Sequence, residues 1–298
     1  MTISFDGQVA IVTGAGNGLG RSHALELGKR GAKVVVNDFG GARDGTGGEM
    51  GPAEKVAQEI IEAGGEAIAN GANVANYSDC EAMAAQAMEK WGRIDVLINN
   101  AGILRDKSFG KLEMENWNIV VDVHLTGSAN CSRAVWNHMK DQNYGRILMT
   151  TSTSGIYGNF GQANYGAAKL GLVGLMNTLC IEGAKNNIQI NCISPTAATR
   201  MTEDILTEDM LAKLDPKFVT PAAVFLVSTE APNHTVMFAG AGSYTTMQIS
   251  ESAGMHLAEE DRNADGVAAN FAAISDMSNP DVFYSGTEHV VKVVKMAE

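Results

Sequence analysis

Short apolar runs recur along the chain, and between them lie segments in which apolar residues return every three to four positions. Runs that are apolar throughout and rich in β-branched residues are typical of strands covered on both faces of a sheet. The predicted strands begin at Val9, Lys33, Ile94, Arg146, Ile188 and Thr235. The predicted helices cover residues 19–30, 53–63, 80–91, 116–138, 163–184 and 222–227.

Alternation of strands and helices over most of the chain predicts an α/β protein with a doubly wound parallel sheet. No proline-rich or serine-rich linker interrupts the alternation, so we expect one domain over residues 1–255. Residues 256–298 lose the alternation, although Val267, Phe271 and Ile274 share one helical face. We therefore predict that this C-terminal extension packs on the domain or on an oligomer partner.

Composition narrows the class of protein. The chain has 298 residues, of which 45% are hydrophobic, and its formal net charge is −12. An acidic chain argues against nucleic-acid binding, and no apolar run reaches the length of a membrane span. The N-terminus lacks a cleavable leader pattern, and the four cysteines and six histidines form no metal-binding motif. We therefore expect a cytoplasmic protein with reduced thiols and no metal site.

A glycine-rich segment follows the first predicted strand directly. Gly14, Gly18 and Gly20 have the spacing T-G-x-x-x-G-x-G, which differs from the dinucleotide fingerprint G-x-G-x-x-G but permits the same tight turn from strand to helix. Such a turn lets a pyrophosphate approach backbone N–H groups at a helix N-terminus. Asp38 closes the next predicted strand, where a carboxylate can accept hydrogen bonds from the adenosine ribose. The alternative is that Asp38 only caps a turn or a helix.

Tyr165 and Lys169 are four residues apart in a predicted helix, so both can face one cleft. A nearby ammonium favours the phenolate, so we expect Lys169 to lower the pKa of Tyr165 and make it a usable base. Ser152 and Ser154 supply hydroxyls at the end of the preceding strand, and small residues around Tyr165 leave room for ligands. An ordinary buried tyrosine beside a surface lysine is the alternative for this spacing taken alone.

Four motifs follow one another in a characteristic order: TGAGNGLG from Thr13, NNAG from Asn99, a strand that ends at Ser152, and YGAAK from Tyr165. In this order they resemble the short-chain dehydrogenase/reductase family. The resemblance implies a Rossmann-type, mostly parallel seven-stranded sheet with helices on both faces, and an NAD-dependent oxidoreductase acting on a secondary alcohol or ketone. It also implies that Tyr165 is the general acid/base, that Ser152 orients the substrate oxygen, and that Lys169 binds the nicotinamide ribose.

The same resemblance implies which residues contact the cofactor. They are Gly14, Asn17, Gly18, Leu19, Asp38, Asn73, Val74, Asn100, Ala101, Gly102, Tyr165, Lys169, Pro195 and Ala198. NAD is expected rather than NADP, because a 2′-phosphate beside Asp38 meets like charge and Phe39 stands where an arginine would pair with it. Arg43, in the following loop, is the residue that could weaken this preference.

Longer segments give a closer resemblance, to the (3R)-hydroxyacyl-CoA dehydrogenase regions of the type 2 peroxisomal multifunctional enzymes. They are VVVNDFGGARDGTGG, NNAGILRDKSF, HLTGSANCSRAVW and SGIYGNFGQANYGAAKLGL. This resemblance implies a dehydrogenase whose substrate is a (3R)-3-hydroxyacyl-CoA thioester in β-oxidation-type degradation. No hydratase-like or sterol-carrier segment follows Glu298, so we expect a free-standing enzyme. It also implies a homodimer or homotetramer formed through the helices near residues 116–138 and 163–184. A steroid or steroid-side-chain CoA dehydrogenase and a non-catalytic NAD-binding protein are the alternatives.

Two positions depart from the wider family. Pro195 is followed by Thr196 where Pro-Gly is usual, and His124 stands where the family has a catalytic asparagine. The multifunctional enzymes tend to have histidine there, so we count His124 among the catalytic residues. We expect it to support the site through its main-chain carbonyl, with Gly127 allowing the helix to loosen nearby.

A small basic patch follows the NNAG motif in this otherwise acidic chain. Arg105, Lys107 and Lys111 lie where a loop at the carboxyl end of a strand would face the ligand. The patch is either a contact for a CoA phosphate or a solvated loop, and the sequence leaves both open.

Overall fold

Eight strands of the described residues form one sheet. The computed structural model describes residues 2–42, 44–47, 51–197 and 213–298. The strands are β1 Val9–Thr13, β2 Lys33–Asn37, β3 Glu66–Asn70, β4 Val96–Asn99, β5 Gly145–Thr150, β6 Ile188–Pro195, β7 Val236–Gly240 and β8 Ser243–Met247. Their order is β3-β2-β1-β4-β5-β6-β7-β8, and every pair from β3 to β7 is parallel. The doubly wound parallel sheet is thereby confirmed.

The sheet has one strand more than the predicted seven, and two of the eight were not located in the sequence. β3 has the sequence EAIAN, which contains a single β-branched residue, and it lies at an edge where most of its side chains are partly exposed. β8 lies at the other edge and is largely exposed. It follows β7 through Ala241 and Gly242, whose φ angles of 50° and 75° suit a two-residue hairpin turn. Both edge strands therefore lack the apolar run that marks the central strands.

Five of the six predicted helices begin and end within three residues of their predicted limits, and the described residues form eleven α-helices. They are α1 Gly18–Lys29, α2 Gly51–Glu62, α3 Tyr77–Trp91, α4 Met114–Val121, α5 Gly127–Asp141, α6 Thr153–Tyr157, α7 Ala163–Gly183, α8 Thr220–Leu226, α9 Ala264–Ala269, α10 Phe271–Ile274 and α11 Gly286–Met296. Every residue of β1, β4 and β5 is buried, as a sheet covered on both faces requires. None of the described helices is long and apolar enough to cross a bilayer.

The segment predicted as one helix over residues 116–138 is interrupted. A π-helical turn, Asp122–Thr126, separates α4 from α5, and the Gly127 N–H donates to Asp122 O across it. Such turns add one residue to a helix and often occur at functional sites. His124 lies inside this turn, so the loosening expected beside Gly127 is present, in the residues just before it.

The strand order changes direction at β1, and this determines where a ligand can bind. The chain first adds β2 and β3 on one side of β1, and then returns to place β4 on the other side. The loops after β1 and β4 therefore separate and leave a crevice at the carboxyl ends of these strands. In open α/β sheets, ligands bind in such a crevice.

The chain packs as two compact units, Met1–Thr246 and Met247–Glu298, whereas the sequence places the boundary after residue 255. In the second unit, Glu251 and Asp281 form a short antiparallel bridge. Lys292 on α11 donates to both of their carboxylates at 2.8 Å and to Ser252 O at 2.9 Å. One cation thus joins three segments of this unit.

The residues predicted to share a helical face in the C-terminal extension lie on two short consecutive helices, α9 and α10. Asn270 separates α9 from α10, and its side chain donates to Gly266 O at 2.9 Å. Val267 is 46% exposed and Phe271 is 62% exposed. Packing of this extension on the domain or on an oligomer partner stays a prediction.

Candidate active site

The glycine loop after β1 is shaped by close backbone approaches. Gly14 has a φ of +61°, and a Cβ there would lie 2.8 Å from Ala101 Cα. A Cβ on Gly20 would overlap Gly14 O. These two glycines let α1 begin immediately beside the end of β1, which is what a strand–loop–helix phosphate site requires.

Thr13 and Asn100 fix this loop to the end of β4. Asn100 Nδ2 donates to Thr13 O and to Gly14 O, each at 3.0 Å. In return, Thr13 Oγ1 accepts from the backbone N–H groups of Asn100 and Ala101 at 3.0 and 3.1 Å. The sequence predicts backbone contacts to a cofactor from Asn100 to Gly102. The structure adds that the Asn100 side chain holds the glycine loop in place.

The first turn of α1 offers backbone donors to an anion. Asn17 is the N-cap residue, but its side chain makes no capping hydrogen bond, and the first turn contains no acidic residue. Gly18 and Leu19 line the adjoining cavity. Uncapped N–H groups and the helix dipole together form a site for a pyrophosphate.

Asp38 follows β2, and its carboxylate organises the turn there. Oδ2 accepts from Gly16 N and Oδ1 accepts from Gly40 N, both at 2.8 Å. Each oxygen retains a lone pair, and Asp38 lines the same cavity as the glycine loop. Asp38 therefore caps its own turn and also presents its carboxylate to the cavity.

One cavity of about 630 Å³ brings the predicted site residues together. The residues predicted to contact cofactor or substrate that line it are Gly14, Asn17, Gly18, Leu19, Asp38, Asn73, Val74, Asn100, Ala101, Gly102, His124, Ser152, Tyr165, Lys169 and Pro195. Ala198 lies outside the described residues, as does Arg43. The lining also includes Asn37, Phe39, Asp106, Thr150 and Gln162, which the sequence analysis missed. Asn37 and Thr150 are the last residues of β2 and β5, so strand-end position was the signal for both.

Lys169 is buried beside Tyr165 on α7. Its Nζ donates to Thr150 O at 2.5 Å and lies 5.5 Å from the centroid of the Tyr165 ring. Burial lowers the pKa of Lys169 from 10.5 to about 7. The ammonium is therefore easily deprotonated in the protein alone, and a polar ligand in the cavity would help to hold its charge.

The expected lowering of the Tyr165 pKa is wrong for the protein alone. Burial raises the pKa of Tyr165, a hydrogen bond with Ser152 opposes the rise, and the Asp106 carboxylate adds to it. Lys169 contributes little because its own charge is weakened by burial and is directed at Thr150 O. Ser152, which the sequence assigns to the substrate oxygen, is thus already in contact with the phenol.

Two of the small residues near Tyr165 serve helix packing rather than ligand space. A Cβ on Gly166 would lie 3.1 Å from Ser154 O, and a Cβ on Gly155 would lie 2.8 Å from Leu170 N. Both glycines let α6 pack closely on α7. This packing holds Ser152, the N-cap residue of α6, against the start of α7.

His124 supports the loop after β4. Its Nε2 lies 3.1 Å from Ile103 N and 2.8 Å from Ile103 O, while Nδ1 is buried without a partner among the described residues. Its ring packs edge-on against Tyr165, with centroids 5.1 Å apart. Burial and the nearby Lys169 charge hold the pKa of His124 well below its usual value. Its carbonyl, which was expected to serve the site, accepts from Ser128 Oγ at 2.7 Å.

Comparison with known proteins gives matches over nearly the whole chain. The short chain dehydrogenase family matches residues 8–209. The peroxisomal multifunctional enzyme type 2 of Mus musculus is 46% identical over 98% of this chain, which spans only 40% of that protein's length. A Mycobacterium tuberculosis protein, described as a short-chain type dehydrogenase/reductase, is 47% identical over 92% of this chain and 96% of its own.

Two solved structures have the same fold. Full-length peroxisomal multifunctional enzyme type 2 from Drosophila melanogaster superposes with a TM-score of 0.82 at 39% identity, covering 98% of this chain and 50% of that one. A 7α-hydroxysteroid dehydrogenase, complexed with NADH and 7-oxo glycochenodeoxycholic acid, gives a TM-score of 0.72 at 26% identity. That match covers 80% of this chain and 95% of the other.

Proposed function

Because the chain belongs to the short-chain dehydrogenase family, and is therefore an oxidoreductase acting on CH–OH groups, we propose that it uses NAD to interconvert a (3R)-3-hydroxyacyl-CoA and the corresponding 3-oxoacyl-CoA. The observation that carries this proposal is the single cavity that contains the glycine loop, Asp38, Ser152, Tyr165 and Lys169. A nucleotide-binding half and a proton-transfer half are thereby joined in one cleft.

The chain's own residues fit a dinucleotide. The uncapped first turn of α1 suits the pyrophosphate, and the Asp38 carboxylate suits the adenosine ribose. Lys169 lies at the other end of the cavity with Thr150, whose buried hydroxyl has no partner among the described residues. When bound, NAD supplies the hydride acceptor for alcohol oxidation.

Tyr165 is proposed to take the proton from the substrate hydroxyl in oxidation and to return it in reduction. The hydrogen bond between Ser152 and Tyr165 supports this role, because one substrate oxygen could reach two neighbouring hydroxyls. Lys169 contributes by charge: its proton favours the phenolate once a bound ribose hydroxyl stabilises the ammonium. His124 holds the backbone at Ile103 beside this group.

The substrate assignment is supported by the relatives named above. Two of the matched proteins are peroxisomal multifunctional enzymes, and the match to them includes the C-terminal unit. Apolar residues are part of the cavity lining, among them Leu104, Ile119 and Val123. An acyl chain suits this lining. We place the protein in a reducing compartment such as the cytoplasm, since its four cysteines are free and buried.

A hydroxysteroid, free or as a side-chain CoA ester, is the second candidate substrate. The structural match to a hydroxysteroid dehydrogenase with a bound bile-acid derivative favours it, and the same apolar lining would accept a ring system. A non-catalytic NAD-binding role is disfavoured, because a binding protein needs no Ser152, Tyr165 and Lys169 in contact. The homodimer or homotetramer remains part of the proposal, supported by Leu170 and Ile181, which are exposed on α7.

The test is turnover of matched substrates by the purified full chain. We expect NADH to form from a (3R)-3-hydroxyacyl-CoA and NAD, with much lower kcat/KM for the (3S) epimer, for the free hydroxy acid and for a steroid alcohol. A higher kcat/KM for the free steroid than for acyl-CoA thioesters would reject the thioester assignment.

Tyr165→Phe is the matched catalytic control. It removes only the hydroxyl, so kcat should fall by roughly 10²–10⁴ while NADH binding, followed by fluorescence, is retained. An ordinary kcat in this variant would show that the proton transfer has been assigned to the wrong residue.

A further inference from the structure

The loop after β2 crosses the cofactor cleft instead of turning away from it. We call its described residues, 39–42 and 44–47, the strap. Phe39, Ala42 and Gly45 line the same cavity as the glycine loop. Gly45 packs on Ile103, since a Cβ there would lie 3.2 Å from Ile103 Cδ1. Because β1 lies between β2 and β4, a loop that leaves β2 and reaches the residues after β4 must pass over the end of β1.

The strap has a defined shape of its own. Ala42 N donates to Thr46 O at 2.7 Å, and Gly45 N donates to Ala42 O at 2.9 Å. The Asp44 carboxylate accepts from Thr46 N and Oγ1 at 3.0 and 2.7 Å. These local bonds fold the strap into a turn, but none of them ties it to the far side of the cleft.

Arg105 makes that tie. Its Nε donates to Asp44 O at 2.9 Å, and its NH1 donates to Asn116 Oδ1 at 2.7 Å. One guanidinium therefore bridges the strap and the start of α4. These bonds divide the basic patch predicted from the sequence. Arg105 donates to protein oxygens, whereas Lys107 and Lys111 are exposed.

Arg105 is itself anchored to the catalytic helix. Asn164, which is fully buried, donates through Nδ2 to Arg105 O and to Asn116 O, each at 3.2 Å, and accepts from Tyr165 N at 2.8 Å. The residue before the catalytic tyrosine thus fixes the backbone of Arg105. Asn164 therefore connects Tyr165 to Arg105, and Arg105 connects to the strap.

We propose that Arg105 is a positioning residue for the dinucleotide: it holds the strap across the cleft and thereby slows release of the cofactor. The inference rests on the proposed function, since the occupant of the cleft is taken to be NAD. It assigns Arg105 to cofactor retention rather than to a CoA phosphate.

The experiment measures NADH binding by stopped-flow fluorescence on the full chain. Arg105→Met should raise the Kd and the dissociation rate of NADH about tenfold, the effect of losing two hydrogen bonds of modest strength. Arg105→Lys should lie between wild type and Arg105→Met, because an ammonium lacks the planar fork that reaches both acceptors. Lys107→Met removes the same charge two residues away and should leave the Kd within twofold of wild type.

Steady-state kinetics separate positioning from a general structural effect. In Arg105→Met, KM for NAD should rise far more than kcat at saturating NAD falls, and the melting temperature should stay near that of wild type. An unchanged NADH Kd in Arg105→Met would overturn the inference. If, in addition, Arg105→Met raised KM for an acyl-CoA but not for the matching pantetheine thioester, Arg105 would be assigned to a CoA phosphate instead. Failure of wild type to bind NADH would instead reject the proposed function itself.

Discussion

His124 lies against Tyr165, yet it is poorly suited to exchange a proton near neutral pH. Its pKa is well below the usual value, because the ring is buried and faces the Lys169 charge. Its Nε2 is occupied by the backbone of Ile103. The neutral ring therefore acts by packing against Tyr165. It lies so close to Gly102 that a Cβ there would overlap it.

Replacing His124 by alanine should lower kcat only about tenfold, well short of the roughly 10²–10⁴ that a positioned acid or base contributes. The loss arises from a less constrained loop at Ile103 and a less constrained Tyr165 ring. The measurement is kcat against pH for wild type and variant, with the fold checked by circular dichroism. A thousandfold loss, together with disappearance of a near-neutral pKa, would make His124 a direct participant.

Asp38 should make the enzyme prefer NAD over NADP, on the order of a hundredfold in kcat/KM. Two unit charges 4 Å apart near a protein surface repel by about 4 kcal/mol, which is enough for this ratio. Asp38→Asn keeps an oxygen that can accept from Gly16 N or Gly40 N, and it removes the charge. It should therefore lower the ratio of kcat/KM for NAD to kcat/KM for NADP, mainly by raising kcat/KM for NADP. Equal kcat/KM values for the two cofactors in wild type would contradict this assignment.

Residue types and their spacing were sufficient to predict which side chains meet in the cleft, because strand ends in a doubly wound sheet share one edge. They were not sufficient for the electrostatics of Tyr165. The direction in which its pKa shifts depends on burial and on the carboxylate of Asp106, which lies on a separate loop. They also missed Asn164, whose role depends on contacts with residues 48 and 59 positions away.

At the scale of elements, α1 and α8 are joined through a buried histidine. His23 Nδ1 lies 2.9 Å from Thr220 Oγ1, which is also 2.7 Å from Ser22 Oγ. Burial lowers the pKa of His23 from 6.5 to about 4. Because α1 also carries the proposed pyrophosphate site, this contact fixes a helix that the proposed cofactor would meet.

The His23 contact should make stability depend on pH in a defined window. Between about pH 6.5 and 4 the unfolded chain binds a proton at His23 that the folded protein does not, so the free energy of unfolding falls as the pH falls. The loss should reach about 3 kcal/mol at the acidic end. Urea unfolding of wild type and His23→Gln at several pH values measures this loss in the free energy of unfolding, because the other groups titrate alike in both proteins. Parallel curves for the two proteins across this window would contradict the prediction.

Elements with a continuous apolar run were predictable, and elements defined by tertiary contacts were not. β3 and β8 are edge strands with polar, exposed residues. Gly127 indicated that the helix over residues 116–138 loosens nearby, but the apolar spacing did not locate the π-helical turn between α4 and α5. Helix α10 is separated from α9 by one asparagine, whose effect depends on its bond to Gly266 O.

At the scale of the whole molecule, Lys292 joins three segments of the second unit. Lys292 neutralises Glu251 and Asp281, which are also joined through their backbones. Without it, two carboxylates would remain together opposite α11. The unit has few buried residues to compensate.

Lys292→Met should loosen residues 247–298 selectively. We expect faster hydrogen–deuterium exchange in this unit than in wild type, while exchange in β1, β4 and β5 is unchanged. Lys295→Met is the control, because Lys295 is an exposed lysine on the same helix. Equal exchange in the Lys292 variant and the control would show that the cluster does not hold the unit together.

The order of the site residues along the chain determines the order in which the site is synthesised. The glycine loop, Asp38, Asn73, Val74 and the segment from Asn100 to Gly102 all lie within the first 102 residues of the chain. Ser152, Tyr165 and Lys169 follow later. A nascent chain leaving the ribosome therefore contains every predicted contact for the adenosine half of NAD before any catalytic residue has been translated. Since N-terminal segments emerge first, nucleotide recognition is encoded ahead of chemistry.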